Sequence, residues 1–206
     1  MVKVLASYQE EIANQEIPSG KKKVLLAGLK LFSKKGFHAT TTAEIAHEAG
    51  VSEGTIYKYF KSKDDLLANL LSPMLTEIKD NFFVQLDDYH DLKKLISFLV
   101  EDRMQFWLIN FDFLKLFIQE LLINNQIVDL IKTKIMGKNG VFAHFDDLKE
   151  RFNEINQELT SAQLLRIFIS PIFTYVVQVK VFGIVPSDPT ADLALIKKQI
   201  YLGLTA

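Results

Sequence analysis

The sequence predicts an all-α chain. Apolar residues recur at three- and four-residue spacing along most of its length, and no segment sustains the alternation of a strand. Cap and stop residues punctuate the periodic stretches. At 206 residues the chain can form one large domain or two smaller ones that share a helix. Hydrophobic residues make up 49% of it and charged residues 24%, with a mean hydropathy of +0.12. That apolar surplus needs a subunit interface, an apolar cavity, or both. Cysteine is absent, which excludes disulfides and thiolate metal sites.

Residues 1–19 are polar and weakly patterned, and read as an arm or a short leading helix. MVKVLASYQEEIANQ carries acids early and lacks the apolar core of a signal peptide. Glu10, Glu11 and Glu16 oppose contact with a polyanion. The first firm helix runs from Lys21 to Lys35, with Val24, Leu25, Gly28, Leu31 and Phe32 as its apolar stripe and Gly36 as its stop. Phe37 is expected to pack back under the bundle.

Thr40 to Lys63 is the stretch around which the chain is organised. Thr41 and Glu44 have capping-box spacing. Ile45, Ala46 and Ala49 share a face, and Gly50 supplies a left-handed stop. Ser52 is the expected N-cap of a second short helix, in which Ile56 and Phe60 face the same way. Small Ala46, Gly50 and branched Ile56 allow the close crossing of a helix-turn-helix. The exposed side of the second helix gathers Glu53, Gly54, Thr55, Tyr57, Lys58 and Tyr59, not the i,i+4 Glu–Lys pattern of an ordinary surface helix.

Ser62 and Asp65 form a second capping box, opening a helix through Leu66, Leu67, Leu70, Met74 and Ile78. Pro73 requires this helix to kink or to restart at Ser72. It is also the expected single covalent link between head and body. Further helices follow at Asp91–Asn110, Phe111–Ile123, Gln126–Met136, Phe142–Gln157, Thr160–Phe182 and Asp188–Leu204, with turns at Gly137–Gly140 and Gly183–Pro189. Thr160–Phe182 is apolar on nearly every side and must be covered on every side. Its most apolar run, Ile167–Val179, contains Pro171 and falls short of the ~18 residues of a membrane span.

The near-zero net charge of −1 hides an asymmetry. Residues 20–63 hold nine lysines and three glutamates, for +6; the remainder holds 15 basic and 22 acidic residues, for −7. A basic head on an acidic body suits a polyanion partner. Catalytic patterns are lacking. His38, His47, His90 and His144 have no ligand spacing. The doublets Glu101-Asp102 and Asp146-Asp147 point about 100° apart on a helix. Ser19-Gly-Lys-Lys lacks the strand and glycine spacing of a phosphate loop. The expectation is no enzyme, no metal and no cofactor.

TTTAEIAHEAGVSEGTIYKYFKSKDDLL resembles the DNA-binding signature of TetR-family transcriptional regulators, including the run from Gly54 to Phe60 and the following Ser62-Lys63-Asp64. Extended back from Phe37 to Lys21, the similarity covers about a quarter of the chain. Ala43 departs from the family, which often places a basic residue there. The resemblance implies an arm at 1–19, a three-helix helix-turn-helix DNA-binding domain at 20–66, and a helical effector-binding and dimerisation domain at 67–206. Geometry and resemblance together assign base-edge contacts to Glu53, Gly54, Thr55 and Lys58. Phosphate contacts fall to Thr42, Ser52, Tyr57, Tyr59 and Lys63. Ile45, Ala46, Gly50, Ile56 and Phe60 serve folding.

Pairing of helices 160–182 and 188–204 across a homodimer would cover the apolar surplus and set two reading helices about 34–36 Å apart on a pseudo-palindromic double-stranded operator. Arg103, Phe106, Trp107, Asn110, Gln119, Phe173, Tyr175 and Gln178 are candidates to line an effector cavity, although aromatic residues at helical spacing also serve as plain core. The leading reading is a cytoplasmic dimeric repressor released by a small hydrophobic effector. An effector-free architectural DNA-binding factor and a helical carrier of hydrophobic molecules are the alternatives.

Overall fold

The computed structural model describes residues 8–77, 86, 88–137 and 140–206. Ile78 of the expected fourth helix, the middle of the Gly137–Gly140 turn and residues 1–7 of the arm lie outside them. The described helices are α1 (Tyr8–Asn14), α2 (Ser19–Lys35), α3 (Thr42–Ala49), α4 (Glu53–Tyr59), α5 (Lys63–Glu77), α6 (Leu92–Ile109), α7 (Phe111–Ile123), α8 (Asn125–Lys134), α9 (Val141–Arg151), α10 (Ser161–Lys180) and α11 (Pro189–Thr205). No strand occurs among the described residues. Pro73 lies inside a continuous α5, so the restart at Ser72 does not occur. The helix expected to reach Gln157 ends at Arg151, where Phe152 takes an extended conformation.

Two compact units emerge. One takes the chain up to Leu75 together with Ile109–Ile131; the other takes Thr76–Leu108 and Lys132–Ala206. The chain therefore passes between them three times, within α5, at the end of α6 and within α8. The expected single covalent link is corrected on that point. The sequence periodicity of α7 shows that it has an apolar face but not which neighbour that face meets.

In the first unit α2 is the central post, in contact with α1, α3, α4 and α7. Val24, Leu25, Ala27, Gly28, Leu29 and Phe32 are buried. The buried surface is wider than the expected stripe, and Leu31 is only half-buried. Contact with α7, which buries Phe113 and Leu116, is why α2 needs more than one apolar face. Gly28 is a close approach: a Cβ there would sit 3.3 Å from Leu66 Cδ2 of α5. Phe37 packs edge-on to Phe32, with ring centroids 5.1 Å apart, as expected. From α1, Ile12 is buried, and Ala13 offers its carbonyl to the Lys22 ammonium at 2.6 Å.

Two polar devices fasten this unit. Thr41 and Glu44 form the expected capping box, with both halves present. Glu44 also pairs with Lys35 of α2. Lys35 first, then the Thr41 backbone N–H, hold the Glu44 carboxyl down to about 2 from an ordinary 4.5. The second device is Lys63, whose Nζ donates to the carbonyls of Phe37 and Thr40, each at 2.9 Å. The same ammonium lies 4.4 Å over the Phe37 ring. It ties the start of α5 to the turn between α2 and α3. At the second capping box only half the expected pattern forms. Ser62 Oγ accepts from Asp65 N–H, but the Asp65 carboxylate turns to the Lys61 N–H at 2.8 Å.

The second unit is built from α6, α9, α10 and α11. Phe145 of α9 stacks on Phe168 of α10 with ring centroids 5.6 Å apart. The Arg151 guanidinium donates to the carbonyls of Leu86 and Tyr89 at 3.0 and 2.8 Å. Asn156 anchors the chain end through Leu204 and Ala206. Thr160 and Gln163 cap α10 reciprocally, and Asp188 caps α11. Only the Leu164, Phe168, Ile172 and Val176 face of α10 is buried. By length and composition Ser161–Lys180 is long and apolar enough to cross a membrane. The uninterrupted run Ile167–Val179 is itself shorter than a span, and the core helix of a folded domain passes the same test of length and composition.

Two outcomes check the fastenings. A folded-state pKa below the unfolded one means Glu44 stabilises the fold above pH 4.5 and loses that contribution as pH falls toward 2. The gap in urea midpoint between wild type and Glu44→Gln should accordingly be largest above pH 4.5 and narrow below it; a gap that is constant with pH contradicts this. Lys63→Met keeps the stem but takes a donor from the carbonyls of Phe37 and Thr40, of which Phe37 O still accepts from the Thr40 N–H at 3.2 Å. It should cost about 1–3 kcal/mol in chemical denaturation, where an unchanged midpoint would assign Lys63 no role in folding.

Candidate nucleic-acid interface

The interface is set by what α3 and α4 bury. Ile45 and Ala46 of α3, Ile56 of α4 and Phe60 just after it are all nearly inaccessible to water, and α3 packs on α4. Gly50, at φ 64 and ψ 39, closes α3 by donating to Ala46 and His47. Its left-handed conformation is one that a side chain resists. Val51 N–H donates to Ala46 O at 3.0 Å, completing the turn. With Ile56 and Phe60 pointing inward, the other sides of α4 face outward.

Those sides carry the expected residues. Glu53, Gly54, Tyr57 and Lys58 are exposed, and Tyr57 is 56% accessible. Thr55 and Tyr59 are half-buried. Ser52 does not cap α4 through its side chain, contrary to expectation. Its hydroxyl lies 3.1 Å from that of Thr55, so a side-chain pair replaces the cap.

Thr42, Glu53 and Tyr57 form one cluster across the two helices. The Thr42 hydroxyl donates to Glu53 Oε1 at 3.2 Å and lies 3.4 Å from the Tyr57 hydroxyl. The sequence treats them as separate contacts; the fold joins them. Tyr59 rests on Gly20, where an added Cβ would come within 3.2 Å of the ring. Lys58 Nζ sits 5.5 Å over the Tyr59 ring, and Lys21 Nζ sits 5.6 Å over Phe60. Gly20 was missed as a seat for Tyr59, since only the fold brings α2 to α4. Lys63 stands apart from the exposed group because its ammonium is spent on Phe37 and Thr40.

Electrostatics follow the same arrangement. Of the three head glutamates, Glu44 pairs with Lys35 and Glu48 with Lys30 at 2.5 Å. Lys30 holds the Glu48 carboxyl below its ordinary value. Both pairs join α2 to α3, leaving Lys58 on the reading helix. Sequence spacing also gave no sign that the buried Glu120 of α7 lies 3.9 Å from His38 Nε2, at the end of the α2 region.

The eight candidate effector residues do not gather in one described pocket. Trp107 and Phe173 meet edge-on at 6.2 Å. Arg103 lies 5.0 Å over Phe106 and pairs with buried Asp102. Tyr175 and Gln178 line a groove of about 450 Å³ between α10 and α11. Asn110 and Gln119 belong to the first unit. No group of metal-ligating side chains occurs among the described residues.

Residues 24–70 match the family of bacterial regulatory proteins called the tetR family. The uncharacterised HTH-type transcriptional regulator YerO of Bacillus subtilis is 31% identical over 104 residues, 41% of this chain and 36% of YerO. YhgD of the same organism, another uncharacterised HTH-type transcriptional regulator, is 26% identical over 200 residues, 90% of this chain and 97% of YhgD. The crystal structure of the transcriptional regulator FadR from Bacillus subtilis in complex with stearoyl-CoA superposes with a TM-score of 0.66 at 17% identity. That match covers 89% of this chain and 97% of FadR, and shows a shared fold. Relatives such as YerO are matched over only about a third of their length. The head geometry and these likenesses converge: residues 24–70, within the first unit, form the helix-turn-helix DNA-binding domain of the tetR family of bacterial regulatory proteins.

Proposed function

We propose that the protein is a cytoplasmic, dimeric, sequence-specific repressor of transcription whose operator binding is relieved by a small hydrophobic effector. The observation that carries the DNA reading is the outward face of α4, held out by Ile56 and Phe60 on a segment of charge +6. Lys58 donates to guanine, Glu53 accepts from cytosine, and the Thr55 methyl meets thymine, with Gly54 allowing close approach. Thr42, Ser52, Tyr57 and Tyr59 reach phosphates. Glu53 is held by Thr42 in the free protein, so base contact exchanges one hydrogen bond for another.

Support for the dimer comes from apolar surface that this chain leaves open. Ile169 of α10 is 40% accessible and Leu195 of α11 is 53% accessible, on the two helices expected to pair. Pairing them twice forms an isologous four-helix contact and places two copies of α4 on successive major grooves. The effector reading draws on the aromatic body and on the fold shared with a FadR structure that holds stearoyl-CoA.

Titration of the DNA flanking the protein's own gene with salt tests the first claim. About six phosphate contacts per dimer predict a log–log slope near −5; a flat response removes every DNA-binding reading and leaves the carrier. Lys58→Ala should cost about 1–3 kcal/mol at one base pair and relax preference there; equal losses on all sequences contradict a base contact. Ile169→Glu should shift sedimentation to the monomer and weaken operator binding together, and a dimer that persists contradicts the α10–α11 interface.

A further inference from the structure

The second unit carries a groove of different character between the start of α6 and the end of α11. It encloses about 400 Å³, with Ile96, Tyr201 and Leu202 in its lining and Lys93, Lys197 and Lys198 around them. Its volume falls in the range of small-molecule sites. Ile96 is buried beneath, whereas Leu202 is 52% accessible. An apolar floor open to solvent is therefore lined alongside by three lysines.

Those groups are not equivalent. Lys197 is bound by Glu101 at 2.5 Å, to which the Ser97 hydroxyl also donates at 3.1 Å. Lys197 first, and Ser97 with it, hold the Glu101 carboxyl below its ordinary value, so this pair is locally neutral. Lys93 sits 5.0 Å over the Tyr201 ring. Lys198 is paired with no carboxylate among the described residues. No acid stands three or four positions from it on α11, where Ala194, Leu195, Tyr201 and Leu202 fall. Lys93 lies in the first turn of α6, the end of a helix that disfavours a cation. Helix stability accounts for neither placement. Residues outside 20–63 carry −7 overall, so the local excess of cations is no general property of the body.

We propose that this groove binds a soluble amphipathic anion, with an apolar chain along Ile96, Tyr201 and Leu202 and a phosphate or carboxylate headgroup between Lys93 and Lys198. Charge complementarity selects the headgroup, because an anion gives Lys93 and Lys198 the acidic partner that no described residue supplies. Leu202 follows Leu195 by seven residues, so the groove borders the proposed dimer face, and a second copy is the poorer occupant of this lysine-rich edge, since lysine is depleted at the centres of subunit interfaces. The groove is sized for one chain, not for a bilayer. The inference is independent of the effector reading: the groove shares no lining residue with Trp107 or Phe173, and its test reads binding, not release from DNA.

Calorimetric titration of the full-length protein with dodecyl phosphate, below its micelle-forming concentration, tests the proposal. The expected result is one saturable site per chain, weakened at least tenfold by Lys93→Ala/Lys198→Ala and by Leu202→Glu, with unchanged circular-dichroism melts. Dodecanol and inorganic phosphate should each bind at least tenfold more weakly than dodecyl phosphate. Binding that neither variant alters places the ligand elsewhere and overturns the proposal, as does dodecanol binding equally well or the lack of any saturable site. Sedimentation with phosphatidylglycerol vesicles, without binding of monomeric dodecyl phosphate, would make the surface a membrane contact. Loss of dimer in Leu202→Glu, again without amphiphile binding, would assign the groove to the second copy.

Discussion

The burial of Ile56 and Phe60 is the constraint on which the rest of the head depends. A helix of seven residues has no stability of its own in water, because the cost of its first turn is not recovered over so short a length. α4 exists because two side chains on one face enter a core already walled by α2 and α3. Each full burial of such an apolar side chain contributes about 1.5–3 kcal/mol, more than the propensity of any residue on the outer face can oppose. Once those two are inside, the directions of Glu53, Thr55, Tyr57 and Lys58 follow without further instruction.

The head was legible where signals are local. The capping box of Thr41 and Glu44, the left-handed Gly50 and the Ile56–Phe60 spacing depend on residues within one turn of each other, and each forms as expected. Reading failed where a side chain had two local options. Ser52 bonds to Thr55 in place of the backbone, and Asp65 prefers the N–H of Lys61. It was blind where partners are far apart in sequence: Tyr59 over Gly20, Glu120 near His38, and Lys63 folded onto Phe37 and Thr40. A lysine on a helix start looks the same in a sequence whether it waits for a phosphate or satisfies two carbonyls.

In the body, composition foretold the surplus of apolar surface but not its arrangement. α10 divides into a face buried within its own unit and a face left accessible, which periodicity alone reads as apolar all round. The first unit also takes back α7 after the chain has left it. The buried carboxylate of Glu120 thereby becomes part of the unit that holds the reading helix. Sequence order separates head from body more cleanly than contacts do.

The central claim is that a short helix, fixed from within, offers its outer side chains to duplex DNA. Amide chemical-shift perturbation on titrating labelled protein with DNA selected from a random pool tests this most directly. The account predicts the largest shifts at Thr42 and from Ser52 to Tyr59, with the buried core of α2 nearly unmoved. Shifts concentrated outside the first unit, or none at saturating DNA, would contradict it.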